Sequence, residues 1–313
     1  MNDLISDKNR RFMVTGSSGQ LGVRTVDALI ARGHAVIALD RRQPFPESRS
    51  RSSLVKYVTH SLEDLENASQ NFKDSMAGIT DLVHLAARIA DIPTTSPDAP
   101  KDLMAEVLGT VDLLRLVPNV TSIVFSSSEM VYGSVNASLL TEDSDIRPTN
   151  LYGVLKATIE DYLIQYGRSN KCRISILRLA SVYGTSLDGL QALPSFIRAA
   201  LAGAPPVISG PPYVRRDRVH VDDVISAIMI AVENENSGIF NIGSGVASST
   251  IELAQTVVRI ANSNVDPVIQ QSLKNMAEVA SCEMDISKAR RELGYVPKFD
   301  LHSGIEAVIK RFG

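Results

Sequence analysis

Near its amino terminus the chain reads Phe12-Met13-Val14-Thr15-Gly16-Ser17-Ser18-Gly19-Gln20-Leu21-Gly22. The apolar residues predict a buried strand, and the spacing that follows predicts a helix beginning at the last glycines. A side chain at these glycines would obstruct a tight turn, the approach of a diphosphate to backbone N–H groups, or packing of helix on strand. The stretch therefore predicts a phosphate-binding turn at a helix amino terminus, although a purely structural Gly/Ser turn has the same spacing.

The residues after this turn favour a dinucleotide site. Residues 20–32 carry an apolar stripe at helical spacing, and residues 35–39 form an apolar run that ends at Asp40. An acidic residue at the tip of the second strand, about 20 residues past the glycines, is placed to accept hydrogen bonds from ribose hydroxyls. Asp40 therefore predicts NAD. Arg41 and Arg42 keep NADP open, because a guanidinium can bind a 2′-phosphate.

Composition excludes several classes of partner. The chain has 313 residues, with 32 basic and 35 acidic side chains and a net charge of −3, so it lacks the basic surface typical of nucleic-acid or anionic-membrane binding. Cys172 and Cys282 have no metal-ligand spacing and fit a reducing compartment. The first ten residues have no apolar core, so we expect no signal peptide or membrane anchor. These features predict a cytoplasmic protein with a small-molecule partner.

Strand and helix patterns alternate along the first part of the chain. Beyond residue 40, predicted strands cover residues 54–58, 81–87, 121–127 and 174–179, and predicted helices cover residues 62–72, 103–114 and 150–167. Six strands separated by helices predict the α/β class, with a doubly wound parallel sheet and a ligand crevice at the carboxyl ends of the strands. The residues expected at that edge are Gly16, Asp40, Ala86, Ser128 and Ser181.

The pattern changes after Gly184, where loops rich in proline and glycine separate the remaining elements. A predicted helix at 224–232 and a predicted strand at 238–242 indicate a return to the sheet. We therefore predict a dinucleotide-binding domain at 10–183, to which residues 217–248 return. The smaller substrate-binding region would comprise residues 184–216 and 249–313.

A phenol and an ammonium lie one turn apart on the predicted helix at 150–167. Tyr152 and Lys156 share one helical face, so Lys156 is expected to lower the pKa of the phenol, which could then act as acid or base at a substrate hydroxyl. Ser126-Ser127-Ser128 ends a neighbouring strand, so a serine hydroxyl could meet the same substrate oxygen. The alternative is an exposed Tyr/Lys pair, common on helices, with serines that only cap or turn.

Several further motifs occur in a characteristic order. They are Thr15 to Gly22, His84-Leu85-Ala86-Ala87, Gly109-Thr110, Phe125 to Ser128 with Val131-Tyr132-Gly133, Tyr152 to Lys156, Arg178-Leu179 with Val182-Tyr183-Gly184, Arg216-Asp217, His220 to Asp223, and Asn241-Ile242-Gly243. In this order the chain resembles the extended short-chain dehydrogenase/reductase family, the NAD-dependent epimerase/dehydratase group, over nearly its whole length. The resemblance implies a Rossmann fold and NAD as the cofactor.

The resemblance also implies roles for individual residues. Tyr152 would be the acid/base, Lys156 its partner on the nicotinamide ribose, and Ser128 the hydroxyl that polarises the reacting carbonyl. The residues implied at the cofactor are Gly16, Ser18, Gly19, Gln20, Leu21, Gly22, Asp40, Arg41, Leu85, Ala86, Ala87, Tyr152 and Lys156. Those implied at the substrate, a sugar or nucleotide sugar, are Ser128, Glu129, Ser181 and Arg216. His84 and His220 are interpreted as structural, and no metal is expected.

Four positions depart from the family pattern. Glu106 replaces the usual Asn before Gly-Thr, Ser181 replaces an Asn before Val-Tyr-Gly, and Asn275 stands near the place of a second phosphate-binding arginine. Met130 stands where similar dehydratases and decarboxylases carry a carboxylate, so we expect no dehydration of the substrate. If residues 129 and 130 are extended, Glu129 points away from the position of Met130; a turn there would leave Glu129 free to reach the substrate.

The expected activity is oxidation of a secondary hydroxyl of a sugar-like substrate to a transient ketone, followed by reduction on the other face, as in a 4-epimerase. A dehydrogenase or reductase that releases its product uses the same hydride chemistry and stays open. A catalytically silent dinucleotide-binding regulator is the other alternative. A homodimer is expected through the helices near 101–117 and 150–167, which similar proteins pair into a four-helix interface.

Overall fold

The structure is a computed structural model. It describes residues 10–43, 49–76, 78–87, 99–133, 139–184, 186, 192–235, 237–270 and 282–312. Among the helices in these ranges, none has the length and hydropathy needed to span a membrane.

The strands and helices follow one another in the predicted alternation through the first 180 residues. The strands are β1 (Arg11–Thr15), β2 (Ala35–Asp40), β3 (Val55–Thr59), β4 (Asp81–His84), β5 (Ser122–Ser128), β6 (Arg173–Leu179), β7 (Ser181–Tyr183), β8 (Val207–Ile208), β9 (Arg215–His220), β10 (Gly238–Ile242), β11 (Ala247–Ser249) and β12 (Val268–Ile269). The helices are α1 (Gln20–Ala31), α2 (Gln70–Ser75), α3 (Ala99–Leu116), α4 (Leu151–Asn170), α5 (Ala192–Leu201), α6 (Val221–Glu233), α7 (Thr250–Ile260) and α8 (Leu301–Phe312).

The main sheet has seven strands in the order β10-β6-β5-β4-β1-β2-β3. β1 pairs in parallel with β2 on one side and β4 on the other, so Thr15 lies opposite both Leu39 and His84. The strand order changes direction at this point, which is where doubly wound sheets bind ligands. The predicted Rossmann-like α/β fold is therefore confirmed.

The apolar runs become strands because both faces of the sheet are covered. Met13, Ile37 and Phe125 are each at most 1% exposed and belong to one cluster with side chains of α3 and α4, such as Leu113 and Leu163. This burial holds the carboxyl ends of β1, β4 and β5 at fixed positions.

Two predicted elements differ from the structure. The helix predicted at 62–72 is divided into a 3₁₀ turn at Leu62–Asn67 and the short α2, because Ser69 caps a new helix by accepting a hydrogen bond from Phe72 N at 3.3 Å. The strand predicted at 81–87 ends at His84. Leu85 N still donates to Thr15 O at 3.3 Å, so the chain leaves the sheet directly beside the glycine turn.

The chain forms two compact units. The first comprises residues 1–131, 148–178 and 227–239, and the second comprises residues 132–147, 179–226 and 240–313. The domain boundaries proposed from the sequence stay a prediction. The second unit has its own sheet, β11-β9-β7, and its own apolar cluster, which includes Ile197, Leu253 and Ile305.

Candidate active site

The glycine-rich turn connects β1 to α1 as predicted. Gly16 has a φ of +67°, and Gly19 N donates to Gly16 O at 3.0 Å, so the backbone folds back before α1 begins at Gln20. A Cβ on Gly16 would lie 2.7 Å from Ala86 N, and a Cβ on Gly22 would overlap Gly16 O. The glycines therefore permit a close approach of β1, β4 and α1, with the amino terminus of α1 beside the turn.

Asp40 is held beside this turn at the end of β2. Its carboxylate accepts hydrogen bonds from Ser18 N and Arg42 N, each at 2.9 Å, and Ser18 Oγ donates to Arg42 O at 2.8 Å. Arg41 is exposed. A carboxylate fixed at this place has lone pairs left for the ribose hydroxyls of a dinucleotide.

A buried hydroxyl marks the turn as a ligand site. Ser17 is 1% exposed, and within the described ranges its Oγ is the buried side-chain oxygen or nitrogen without a hydrogen-bond partner. A buried polar atom without a partner is unfavourable unless a ligand or water satisfies it. Together with the helix amino terminus and the glycines, this hydroxyl fits the diphosphate of NAD. The neighbouring strand β4 is followed by three half-buried residues, Leu85, Ala86 and Ala87.

The three predicted catalytic residues come from β5 and α4. Ser128 is the last residue of β5, and its Oγ accepts from Met130 N at 3.2 Å. Lys156 is 1% exposed; its Nζ donates to Ser126 O at 2.8 Å and lies 5.6 Å from the centre of the Tyr152 ring. The structure thus brings the serine strand and the Tyr/Lys helix together, as the sequence predicted.

The start of α4 is built for close packing. Asn150 caps the helix by accepting from Gly153 N at 2.8 Å. A Cβ on Gly153 would collide with Met130 O, so glycine lets the first turn of α4 approach the turn that follows Ser128. Tyr152 therefore lies on a helix end that packs directly against the turn after β5.

The electrostatics of the Tyr/Lys pair differ from the prediction. Burial, with a smaller contribution from Glu106, raises the pKa of Tyr152 to about 12, whereas Lys156 was expected to lower it. Burial lowers the pKa of Lys156 to about 8, against the opposing carboxylates of Glu106 and Glu160. The direction is opposite to the expectation because desolvation of the buried phenol is the largest cause of the shift in its pKa.

Two carboxylates, Glu129 and Glu160, are buried, which was not predicted from the sequence. Glu129 is 5% exposed and lies in a 3₁₀ turn, Glu129–Val131, so the extended arrangement considered for residues 129 and 130 is wrong. Glu160 is 3% exposed and follows Lys156 by one helical turn. The i, i+4, i+8 spacing of Tyr152, Lys156 and Glu160 was the available signal for the last of these.

The two motif histidines are engaged in packing contacts. His84 Nδ1 lies 2.7 Å from Thr15 Oγ1 and Nε2 lies 3.1 Å from Thr110 Oγ1, and burial lowers its pKa to about 3. In the second unit, the His220 ring lies 4.1 Å from that of Phe299. These contacts support the structural interpretation. No cluster of potential metal ligands occurs within the described ranges.

The remaining substrate residues lie in the second unit. Ser181 begins β7 and is exposed, and it pairs with Arg218 of the adjacent β9. Arg216 lies two residues earlier on β9 and is half-buried. Alternation along the strand puts Arg216 and Arg218 on one face, while Asp217 on the other is fully buried. Asn275 falls in 271–281, outside the described residues.

Comparison with known proteins identifies a common family for this arrangement. A sequence profile of the NAD dependent epimerase/dehydratase family matches residues 12–243. A UDP-glucose 4-epimerase from Mycolicibacterium smegmatis is 31% identical, with 96% of this chain and 98% of that protein covered. The crystal structure of Thermotoga maritima UDP-glucose 4-epimerase with UDP-glucose has a TM-score of 0.85 at 28% identity, covering 96% of this chain and 97% of the other. Thermus thermophilus UDP-glucose 4-epimerase in complex with NAD has a TM-score of 0.82 at 26% identity, covering 96% and 98%.

Proposed function

Since the chain belongs to the NAD-dependent epimerase/dehydratase family, we propose that it is an NAD-dependent nucleotide-sugar 4-epimerase. The observation that carries this proposal is the joint placement of Ser128, Tyr152 and Lys156 at the edge of the sheet that also holds the glycine turn. These are the groups that reversible oxidation of a secondary hydroxyl requires.

NAD would be held by the turn at Gly16, Gly19 and Gly22, by the amino terminus of α1, and by Asp40 at the ribose. When bound, it supplies a hydride acceptor and a positive charge that favours the phenolate form of Tyr152. The carboxylate of Asp40 would repel a 2′-phosphate. We therefore expect titration of the protein to give tighter binding of NAD than of NADP; tighter NADP binding would assign Arg41 or Arg42 to the phosphate.

The residues of the chain divide the proton chemistry among themselves. Tyr152 would take the proton of the substrate hydroxyl and return it when the ketone is reduced on the opposite face. Ser128 Oγ accepts from Met130 N, which leaves its own proton for a hydrogen bond to the reacting oxygen. Lys156, held by Ser126 O, would contact the ribose next to the nicotinamide and stabilise negative charge on Tyr152.

The substrate in this proposal is a sugar attached to a nucleoside diphosphate, with UDP-glucose and UDP-galactose as first candidates. UDP-glucose 4-epimerases are among the similar proteins. Arg216 would contact the phosphates, and Ser128, Glu129 and Ser181 would contact the sugar. Met130 offers no carboxylate for elimination, and Glu129, in the turn after β5, is the carboxylate of this motif that could supply one. We expect the epimerised sugar to keep all its hydroxyl groups; a loss of water that disappears in Glu129→Gln would contradict this.

We further propose a cytoplasmic homodimer. Met104 and Leu108, one turn apart on α3, are 56% and 49% exposed, and α3 packs on α4. A second copy of these helices would bury both side chains. Cys172 and Cys282 form no disulfide within the part of the chain that the structure describes, which suits a reducing compartment.

The proposal is tested by incubating the purified protein and NAD with UDP-glucose and following the sugar resonances by NMR. We expect interconversion with UDP-galactose and no net accumulation of reduced cofactor. Accumulation of reduced cofactor with a keto product would assign a dehydrogenase instead. Failure to epimerise UDP-glucose, UDP-glucuronic acid and their N-acetylated counterparts at C4 would contradict the proposal.

A further inference from the structure

One face of α4 carries three functional groups at successive turns. Tyr152, Lys156 and Glu160 are each separated by four residues and therefore share a face of the helix. Lys156 and Glu160 are 1% and 3% exposed, so both charges are buried. A buried charge is unfavourable unless it is paired, and the partners of Glu160 can be identified.

Glu160 is bound from two neighbouring strands. On β6, Arg178 Nε lies 3.2 Å from both carboxylate oxygens and Arg178 Nη2 lies 2.7 Å from Oε2. On β5, Ser127 Oγ donates to Oε1. Both side chains of the ion pair are 3% exposed. The carboxylate is thereby fixed in position by a guanidinium fork and a hydroxyl.

The contacts of Lys156 and Glu160 reach consecutive residues of β5. Lys156 Nζ donates to Ser126 O at 2.8 Å, and Glu160 accepts from Ser127. The next residue is Ser128, the proposed partner of the reacting oxygen. Two adjacent turns of α4 are thus hydrogen-bonded to the two residues that precede Ser128. These bonds fix the position of the helix relative to the end of β5.

Lys156 lies among several charged or titratable groups. They are Tyr152 and Glu160 on α4, Glu106 on α3, His84 on β4 and, through Glu160, Arg178 on β6. His84 is neutral at physiological pH because burial lowers its pKa. The carboxylates of Glu106 and Glu160 oppose the effect of burial on Lys156. The carboxylate of Glu160 is bound to two other elements, β5 through Ser127 and β6 through Arg178.

We propose that Glu160 is a positioning residue for the Tyr152–Lys156 pair. Anchored by Arg178 and Ser127, its carboxylate fixes α4 against the end of β5 and keeps the ammonium of Lys156 charged. Stability alone is a weak reason for this ion pair, since apolar pairs of similar volume often replace buried ion pairs without loss of stability. The inference rests on the proposed function, because it assigns a role within the same hydride chemistry.

The first test measures the titration of Lys156 and does not depend on activity. The protein is labelled with ¹³C at lysine Cε, and the Lys156 signal is assigned from its loss in Lys156→Met. In Glu160→Gln we expect the titration midpoint to fall by about one pH unit. An unchanged midpoint would overturn the proposal, and this holds whether or not the wild-type protein epimerises a nucleotide sugar.

The matched control is a second buried carboxylate with the same kinds of partner. Asp81 on β4 binds Arg10 through two nitrogens and accepts from Thr80 Oγ1 at 2.7 Å, at the opposite end of the sheet. Asp81→Asn should leave the Lys156 midpoint unchanged. A fall equal to that in Glu160→Gln would show a general effect of destabilisation and would overturn the proposal.

The second test separates positioning from folding by kinetics with NAD and the nucleotide sugar. We expect Glu160→Gln to lower kcat by roughly 10- to 100-fold with KM changed less than about twofold. The double variant Glu160→Leu, Arg178→Met removes both charges and should fold while kcat stays low. Recovery of wild-type kcat in the double variant would mean that the pair is only structural and would overturn the proposal.

Discussion

Two clusters with the same three functional groups, a carboxylate, a guanidinium and a hydroxyl, lie at opposite ends of the parallel sheet. At the amino ends of the strands, Asp81 binds Arg10 and Thr80; at the carboxyl ends, Glu160 binds Arg178 and Ser127. The Arg10 side chain is 22% exposed, whereas both members of the other pair are 3% exposed. The first cluster joins β4 to the residue before β1, and the second adjoins Lys156.

The comparison shows that the chemistry of a carboxylate, a guanidinium and a hydroxyl does not itself define a role. The role of each cluster depends on the residues and the crevice that lie next to it. The carboxyl ends of parallel strands converge on a crevice in a doubly wound sheet, and the amino ends do not. Equivalent substitutions at the two ends should therefore separate function from stability.

The largest difference in turnover is expected between variants of two tyrosines of α4. Tyr152 lies near the carboxyl edge and Tyr166 lies four turns later, near the amino edge. Tyr152→Phe keeps the ring and removes the acid/base, so turnover should fall by about 10²- to 10⁴-fold with little change in NAD binding. Tyr166→Phe should retain turnover within about twofold.

The two variants are compared by steady-state kinetics and by calorimetric titration with NAD. Turnover close to that of the wild type in Tyr152→Phe would exclude Tyr152 as the acid/base. Equal losses in both variants would instead attribute the effect to the packing of α4.

Two glycines at the ends of α1 give the next contrast. Gly22→Ala places a methyl group onto Gly16 O and Ser17 Cα, so we expect NAD affinity to fall at least about tenfold and the protein to be destabilised by about 1–3 kcal/mol. Gly33 has a φ of +82° and nothing within 4 Å of an added Cβ. Gly33→Ala should cost about 1 kcal/mol through backbone strain alone and leave NAD affinity unchanged.

Thermal unfolding and NAD titration of both variants give the two quantities separately. If Gly33→Ala weakened NAD binding as much as Gly22→Ala, the turn at Gly16 to Gly22 would have no special part in cofactor binding.

The smallest expected effect is on the pH dependence of the free energy of unfolding, and it involves two histidines. Burial lowers the pKa of His84 from its ordinary 6.5 to about 3, and burial also lowers that of His34, near the amino edge. Below pH 6.5 the imidazole of His84 is protonated in the unfolded chain but stays neutral in the folded protein. The free energy of unfolding therefore decreases as pH falls from 6.5 toward 3. The stability gap between wild type and His84→Asn should therefore narrow on acidification, and more than for His34→Asn.

Denaturant unfolding at several pH values from about 7.5 to 5 measures these gaps. A gap for His84→Asn that stays constant over this range would mean that His84 titrates alike in the folded and unfolded chain.

The fold could be predicted from the sequence because it depends on local periodicity. The runs that became β1, β2 and β5 are apolar on both faces. The positions of the glycines restrict the turn between β1 and α1 to few backbone conformations. The prediction of one helix over 62–72 was wrong because Ser69 caps a new helix instead of continuing the preceding one. Which of the two forms depends on a single hydrogen bond to the Ser69 side chain.

The candidate site was predictable only in part. Tyr152, Lys156 and Ser128 could be placed together because helix period and strand ends bring them to one edge. The bond from Arg178 to Glu160 joins two elements whose register the sequence does not specify. The direction of the pKa of Tyr152 was also missed, because it depends on how deeply the pair is buried.

The central claim is that the carboxyl edge of the sheet oxidises and then reduces one carbon of a nucleotide sugar. It is tested most directly with UDP-glucose deuterated at C4, incubated with the protein and NAD in ordinary water. We predict that the C4 epimer forms with its deuterium retained, because a hydride that leaves and returns within the site does not exchange with solvent. Formation of the epimer with loss of deuterium to water, or no epimer at all, would contradict the account.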